Sequence, residues 1–291
     1  MDVTFEYIKT NGVTLHTALA GSQDGELVVL LHGFPEFWYG WKHQIEALAA
    51  EGYWVVAPDQ RGYHLSSKPE GVAAYEMNEL RDDILGLITQ LGRKQAVIIG
   101  HDWGGAIGWH LAATRPEVVR YFIPINIPHP GVMPKVMGTH PVQILQSSYM
   151  LFFQLPTFPE RTMQAKQFDS LKQALLKTSK NETFSETDLQ WYEKAWSQPG
   201  ALTGMLNWYR AMNAETITEL MRRNVHVPVH MLWGIGDQFL STALAKESMT
   251  RCTNGELTFI GEATHWVQHE QPEVINHLIK KSLQAANQTN V

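Results

Sequence analysis

The chain has 291 residues, 44% of them hydrophobic, which is enough for one large α/β domain or for a domain that carries an insertion. Its 23 basic and 29 acidic side chains give a formal net charge of -6, and no cluster of Lys and Arg could follow a phosphate backbone, so nucleic acid is not expected as a partner. The single cysteine, Cys252, excludes an internal disulfide and leaves no partner for a Cys-rich metal site.

The beginning of the chain has no features of a targeting segment. The first ten residues, MDVTFEYIKT, contain neither a basic nor an apolar signal region, and no stretch approaches the ~18 apolar residues of a membrane span. We therefore expect a cytoplasmic protein without a membrane partner. The sequence leaves open whether the chain forms a homodimer.

Eight short runs of apolar or alternating residues predict β-strands. They are Thr4–Lys9, Val13–Ala18, Glu26–Leu31, Tyr53–Ala57, Ala96–Ile99, Tyr121–Ile127, Val229–Trp233 and Glu256–Ile260. Helical patterns follow or separate several of them, at Glu79–Leu91, Ala106–Thr114 and Glu273–Ala285. Because strands that alternate with helices form parallel sheets with right-handed crossovers, we expect an α/β fold with a mostly parallel sheet and an amino-terminal antiparallel hairpin at its edge. Pro124 conflicts with a central strand, since it removes a ladder hydrogen bond.

The strand patterns stop between about Pro128 and Pro228, where helical segments rich in Met, Trp, Leu and Phe take over. We interpret residues 129–228 as a helical cap. It is inserted between two parts of one core, residues 1–128 and 229–291.

The stretch VIIGHDWGG, residues 97–105, predicts a tight turn between a strand and a helix. Such a nucleophile turn holds its central residue strained and exposed, and glycines around it avoid clashes. The central residue is usually serine, but here it is Asp102. With an ordinary pKa of about 3.9, an aspartate is ionised at neutral pH and can displace a leaving group from a saturated carbon, which gives an ester of the enzyme itself.

Hydrolysis of that ester requires a general base and two donors for the tetrahedral oxyanion. The backbone N–H groups of Phe34, in HGFPEFW, and of Trp103 match the oxyanion-hole layout of this kind of fold. His265 follows the last predicted strand and is our candidate base, with His269 as the second choice. Asp237 follows the strand before it, at the sheet edge where open α/β sheets bind ligands, and would orient the imidazole.

The motifs HGFPE at 32–36, DQRGY at 59–63 and GHDWGG at 100–105 resemble those of the α/β-hydrolase-fold epoxide hydrolases over nearly the whole chain. Two further segments resemble the tyrosine motifs of that family, SSYMLFFQLP with Tyr149 and LNWYRAM with Tyr209. The resemblance implies that the two tyrosines bind and protonate the epoxide oxygen, and a phenol with an ordinary pKa of about 10 suits an acid that stays protonated at pH 7. One departure is His64, which stands where such segments often have glycine.

These residues predict an epoxide hydrolase that converts a small apolar epoxide and water to a vicinal diol, with no cofactor or metal required for the reaction. Eight residues near the site motifs are predicted to line the substrate pocket: Phe34, Pro35, Phe37, Trp38, Trp103, Phe152, Phe153 and Trp208. A haloalkane dehalogenase on the same fold is the first alternative, although the asparagine that many of them carry after HG is replaced by Phe34. A non-catalytic small-molecule receptor is the second.

Overall fold

The computed structural model of the chain describes residues 3–288, and its centre is one eight-stranded sheet. The strands are β1 (Thr4–Thr10), β2 (Val13–Ala20), β3 (Leu27–Leu31), β4 (Trp54–Pro58), β5 (Ala96–His101), β6 (Val119–Ile125), β7 (Val229–Gly234) and β8 (Gly255–Ile260). Their order is β1-β2-β4-β3-β5-β6-β7-β8. Strands β3 to β8 are parallel, and β1 and β2 form the antiparallel edge, so the predicted α/β architecture is confirmed.

The first hairpin follows directly from its two turn residues. Asn11 and Gly12 both have positive φ, as a type I′ turn requires, and Thr10 pairs with Val13 across it. The predicted edge hairpin is therefore confirmed.

The order of the parallel strands creates a crevice at the centre of the sheet. The chain steps from β3 to β4 on one side and then crosses to β5 on the other side of β3. Right-handed crossovers then place the intervening helices on opposite faces, and the loops after β3 and β5 diverge at their carboxyl ends. Such a switch point is where sheets of this type bind their ligands.

The described range contains thirteen α-helices. They are α1 (Lys42–Ala50), α2 (Met77–Gln90), α3 (Asp102–Thr114), α4 (Met133–Thr139), α5 (Pro141–Gln146), α6 (Tyr149–Phe153), α7 (Phe158–Thr178), α8 (Glu186–Trp196), α9 (Ala201–Arg210), α10 (Ala214–Met221), α11 (Thr242–Met249), α12 (Val267–Glu270) and α13 (Pro272–Gln288). Helix α1 packs on α13, and α2 packs on α3. None of the helices between residues 3 and 288 is both long and apolar enough to cross a membrane.

Helices α4 to α10 all lie between β6 and β7, in the segment where the sequence has no strand pattern. Helix α7 is interrupted, because Ala165 is extended and the next three residues, 166–168, have positive φ. We call residues 129–228 the helical insertion.

Several element boundaries differ from those that the sequence predicts, and two of them lie at the carboxyl end of the sheet. Helix α3 begins at Asp102, with no gap between β5 and the helix, and β6 ends at Ile125 because Asn126 turns away with φ +45°. Pro124 does lie inside β6, opposite Gly100 of β5. On the other side of β6, Phe122 pairs with Val229 of β7 and Ile125 pairs with Leu232. Pro124 lies between these two pairs and, without an N–H, donates no hydrogen bond to β7.

Candidate active site

The turn after β5 holds Asp102 in a left-handed conformation, with φ +50°. For a residue with a Cβ this costs on the order of 1 kcal/mol or more. Two glycines leave room for this turn. A Cβ on Gly33 would lie 2.4 Å from the Asp102 Cβ, and a Cβ on Gly104 would lie 2.2 Å from the Leu31 carbonyl oxygen. The Asp102 carboxylate consequently sits at the carboxyl end of the sheet, in the crevice, with 9% of the residue exposed.

The loop after β3 supplies a hydrogen-bond donor to that carboxylate. The backbone N–H of Phe34 donates to Asp102 Oδ1 over 2.9 Å, and the Phe34–Pro35 peptide bond is cis. Trp103 is the next residue of the nucleophile turn and lies in the first turn of α3, where backbone N–H groups have no partner within the helix. Both predicted oxyanion donors thus belong to segments that meet at Asp102.

His265 and Asp237 come from the loops after β8 and β7 and meet at the same sheet edge. The His265 Nδ1 atom lies 2.7 Å from Asp237 Oδ2, and its Nε2 atom lies 3.7 Å from Asp102 Oδ2. The imidazole therefore stands between two carboxylates. The structure thus brings together the three residues that the sequence order predicts as nucleophile, base and orienting acid.

Asp237 is held by donors that the sequence analysis did not identify. Its Oδ2 accepts from Asn126 Nδ2 over 2.7 Å, and its Oδ1 accepts from the backbone N–H groups of Phe239 (2.8 Å) and Leu240 (3.0 Å). Asn126 also accepts from the Gly234 N–H over 2.8 Å, so it joins the ends of β6 and β7. The available signal was a polar residue directly after an apolar strand, at the edge where Asp237 was expected.

The charges of this group determine the protonation of His265. Burial opposes the imidazolium, but the Asp237 and Asp102 carboxylates outweigh burial and raise the pKa of His265 to about 9. For Asp237, burial raises the pKa, while the charge of His265 and the hydrogen bonds from His265 and Asn126 hold the pKa below its ordinary value. The resting site thus favours the ion pair.

His269, the second candidate base, belongs to a different buried network. Its Nε2 atom lies 2.6 Å from Glu36 Oε1, and Glu36 also binds His101 Nδ1 (3.1 Å) and the Tyr192 hydroxyl (2.7 Å). His101 Nε2 in turn donates to the His265 carbonyl oxygen over 2.8 Å. Glu36 therefore connects the loop after β3 with the segment that carries the candidate base. The sequence analysis missed this role, since Glu36 appeared there only as part of the HGFPE motif.

Tyr149 and Tyr209 reach the site from two helices of the insertion, α6 and α9. Their ring centroids lie 6.1 Å apart, and the Tyr209 ring packs edge-on against Trp103 at 5.0 Å and Phe34 at 5.4 Å. Burial and then the Asp102 charge raise the pKa of Tyr149. Burial, then Tyr149 and Asp102, raise the pKa of Tyr209 well above its ordinary value. Both phenols therefore keep their protons at neutral pH.

A cavity of about 240 Å³ lies between the sheet edge and the insertion. Its polar lining comes from Asp102, His265, Tyr149 and Tyr209, together with two hydroxyl residues of α7. Apolar residues form most of the remaining wall: Phe34, Pro35, Phe152, Phe153, Met163, Leu171, Ala174, Leu175, Phe239 and Trp266. Four of the eight predicted pocket residues are thus in this wall.

The other four, Phe37, Trp38, Trp103 and Trp208, do not line this cavity, and the prediction for them is corrected. Phe37 and Trp38 pack against each other behind the loop after β3, with ring centroids 6.0 Å apart. Trp208 packs on Trp103 at 5.8 Å and donates its indole N–H to the Arg61 carbonyl oxygen. These rings build the core that supports the cavity wall.

The family that matches this chain has the same architecture. Residues 26–272 match a family model described as the alpha/beta hydrolase fold. The chain is 52% identical over 281 residues to the AB hydrolase superfamily protein YfhM of Bacillus subtilis, which covers 97% of this chain and 98% of that protein.

Further relatives are epoxide hydrolases. The chain is 40% identical over 278 residues to epoxide hydrolase 4 of Homo sapiens, covering 94% of this chain and 76% of that protein. A crystal structure of Bacillus megaterium epoxide hydrolase in complex with an inhibitor superposes with a TM-score of 0.88 at 32% identity, over 96% of this chain and 100% of that chain. The chain therefore belongs to the α/β-hydrolase-fold epoxide hydrolase family.

Proposed function

We propose that this protein is an epoxide hydrolase that converts small apolar epoxides to vicinal diols through an ester on Asp102. In this proposal residues 129–228 act as a cap on a core formed by residues 1–128 and 229–291. The observation that carries the proposal is that one apolar cavity contains a carboxylate, a histidine paired with a second carboxylate, and two protonated tyrosines.

In the first step the Asp102 carboxylate attacks one epoxide carbon. Its Oδ1 atom is bound by the Phe34 N–H, so Oδ2 is the oxygen that we assign to the attack. The C–O bond of the ring breaks as the new ester bond forms, and the ring oxygen takes a proton from Tyr149 or Tyr209. The Asp102 ester and a neighbouring hydroxyl group result.

In the second step water attacks the carbonyl carbon of the Asp102 ester. His265 removes a proton from that water, and Asp237 stabilises the imidazolium that forms. The Oδ1 atom becomes the tetrahedral oxyanion, and the N–H groups of Phe34 and Trp103 bind it. Collapse of this intermediate breaks the bond between the Asp102 carbonyl carbon and the ester oxygen Oδ2, which leaves as part of the diol and takes the proton from His265. The oxygen of the water completes the restored carboxylate, and its remaining proton returns to the tyrosine that was deprotonated in the first step.

The two leaving groups separate this proposal from the dehalogenase alternative. An alkoxide needs a proton as it leaves, and Tyr149 and Tyr209 can supply it, whereas a halide leaves as an anion. Incubation of the purified protein with styrene oxide and 1-bromohexane, with diol and bromide both quantified, tests the assignment. We expect diol without bromide. Bromide without diol would establish the dehalogenase, and binding of styrene oxide without either product would favour the receptor.

The tyrosines are tested by removing one hydroxyl group at a time. General acid catalysis typically contributes ~10²–10⁴-fold, so we expect Tyr149→Phe plus Tyr209→Phe to lose diol formation by about that factor, and each single variant to lose less. Tyr7→Phe is the matched control, because Tyr7 is 62% exposed on β1 and outside the cavity. A double variant with wild-type turnover would refute the role of the two tyrosines.

A further inference from the structure

A second group of ligand-type side chains lies outside the cavity, beside the loop that follows β4. His16 of β2 and His64 both direct Nδ1 at the same atom, Asp59 Oδ2, at 2.6 Å and 2.8 Å. The other carboxylate oxygen, Oδ1, accepts from the Trp38 backbone N–H over 3.0 Å. The three donor atoms of His16, Asp59 and His64 all lie within 4.8 Å of one another.

Hydrogen bonds join the backbones of two of the three residues. The Asp59 backbone N–H donates to the His16 carbonyl oxygen over 2.8 Å, and the Ser66 hydroxyl joins the same two residues by accepting from the His16 N–H and donating to the Asp59 carbonyl oxygen. The His16 ring also stacks on Phe5, with centroids 5.0 Å apart and an angle of 9°. The Asp59 side chain is fully buried, and that of His16 is 7% exposed.

The third side chain reaches the group at a conformational cost. His64 has φ +39°, in the left-handed region that favours glycine, and its side chain is 11% exposed. The loop is fixed in this form, since Lys68 Nζ donates to the carbonyl oxygens of His64 and Ser66. A glycine would satisfy this backbone without strain. Since histidine adopts this left-handed backbone conformation only at a cost, we infer that its imidazole has a function here.

We propose that His16, Asp59 and His64 form a binding site for a divalent transition metal ion, with Zn²⁺ as the ion that the donors fit best. Two imidazole nitrogens and one carboxylate oxygen are ligands that zinc uses, and water completes a four-coordinate site. At bond lengths of ~2.0–2.1 Å, tetrahedral donors stand ~3.3 Å apart, so the Nδ1 atoms of His16 and His64, now 2.6 Å and 2.8 Å from Asp59 Oδ2, move outward by roughly 0.7 Å and 0.5 Å. The metal ion takes the place of the two Nδ1 protons, and each imidazole binds it as the neutral tautomer that carries its proton on Nε2.

The site would brace the loop that carries Phe34. Asp59 binds the backbone of Trp38, and the His64 ring packs on Phe37 at a centroid distance of 4.8 Å. Both contacts lie on the side of the loop that faces away from the cavity, since neither ring lines it. The bound ion is therefore structural and takes no part in the epoxide chemistry, so this inference is independent of the proposed function.

The test is metal binding by the full-length, tag-free protein after EDTA treatment and dialysis. Titration with ZnCl₂ is followed by calorimetry, and Co²⁺ is used as a spectroscopic probe of coordination. We expect one Zn²⁺ per wild-type chain, visible Co²⁺ bands that Zn²⁺ abolishes, and no competition from Mg²⁺, which prefers oxygen ligands. His64→Asn and His64→Gly should weaken Zn²⁺ binding at least tenfold.

Two controls separate loss of a ligand from loss of fold. Gly and Asn both tolerate the backbone conformation of residue 64, so these variants should remain folded in EDTA, although loss of the ring's contacts with Asp59 and Phe37 lowers their unfolding temperature. His226→Asn removes an exposed histidine outside the group and should leave the Zn²⁺ affinity unchanged. Zn²⁺ affinity that is equal in wild type and both His64 variants would overturn the proposal, as would a wild-type chain that binds no Zn²⁺.

Discussion

The Asp102→Asn variant tests whether esterification of Asp102 converts His265 into a base. In the resting site the pKa of His265 is raised to about 9. Since each pKa unit is a factor of ten, only about one imidazole in 100 is neutral at pH 7. An ester on Asp102 removes one of the charges that hold the proton, so His265 should become a base only after the first chemical step. Asparagine imitates that loss of charge with nearly the same shape.

The size of the effect follows from the distance between the two groups. The His265 Nε2 and Asp102 Oδ2 atoms are 3.7 Å apart. At this separation two unit charges interact by about 4 kcal/mol at an effective dielectric constant of 20, and by about 1 kcal/mol at 80. Divided by ~1.4 kcal/mol per pKa unit, this predicts that the pKa of His265 falls by about 1 to 3 units in Asp102→Asn.

The assay is an NMR titration of the His265 imidazole nitrogens in wild type and Asp102→Asn, with His265→Gln used to assign the signals. The His230 ring, which binds the Ser282 and Thr258 hydroxyls, serves as an internal reference that should not move. If the pKa of His265 changed by only a few tenths of a unit, the charge of Asp102 would not control the imidazole. The proposed change of role between the two steps would then be refuted.

Three further predictions concern the supports of the site. Gly33→Ala places a Cβ 2.4 Å from the Asp102 Cβ, so we expect diol formation to fall about 100-fold, while Gly138→Ala, whose Cβ meets nothing within 4 Å, keeps full activity. Asn126→Leu removes the hydrogen-bond partner of both the Asp237 carboxylate and the Gly234 N–H, so the free energy of unfolding should fall by about 1–3 kcal/mol. Urea denaturation measures this loss, and an unchanged urea midpoint would contradict it. The pKa of His265 is raised to about 9 in the folded protein, so its protonation stabilises the fold by roughly 3 kcal/mol. This contribution to the free energy of unfolding is complete below about pH 6.5 and is lost as the pH rises through about 9. The stability difference between wild type and His265→Gln should therefore shrink over that range, and a constant difference would contradict it.

The arrangement of the sheet was predictable because its signals are local. Buried parallel strands are continuous apolar runs, and the Asn11-Gly12 turn has one favourable hairpin geometry. Boundaries were less accurate, since they depend on neighbours that are distant in the sequence. Helix α3 begins at Asp102 itself, which a helical pattern beginning at Ala106 did not indicate. The β6 strand ends at Ile125, because Asn126 turns to bind the loop of Asp237.

Asp102, Asp237 and His265 were identifiable because each lies in a turn or loop that follows a strand, where the topology collects them at one sheet edge. Tyr149 and Tyr209 lie on helices of the insertion and were identified only by the resemblance of their motifs to those of the family. The orientation of aromatic side chains was not identifiable in that way. Phe34 and Phe37 are only three positions apart, yet one ring faces the cavity and the other is fully buried behind the loop. Only the packing of the insertion against the loop decides which ring faces the cavity.

Glu36 shows why the support of a site is harder to predict than its reacting groups. Its four partners through side-chain hydrogen bonds are His101, Tyr192, Gln268 and His269, which come from three separate regions of the chain. A buried carboxylate is tolerated only when such donors surround it, and no local pattern reveals them. Burial raises the pKa of Glu36, but His269 and His101 outweigh it and hold the pKa well below its ordinary value. The charge that results fixes the loop after β3 to the segments before Asp102 and after His265, so the distances between the proposed reacting groups depend on contacts that only the folded chain creates.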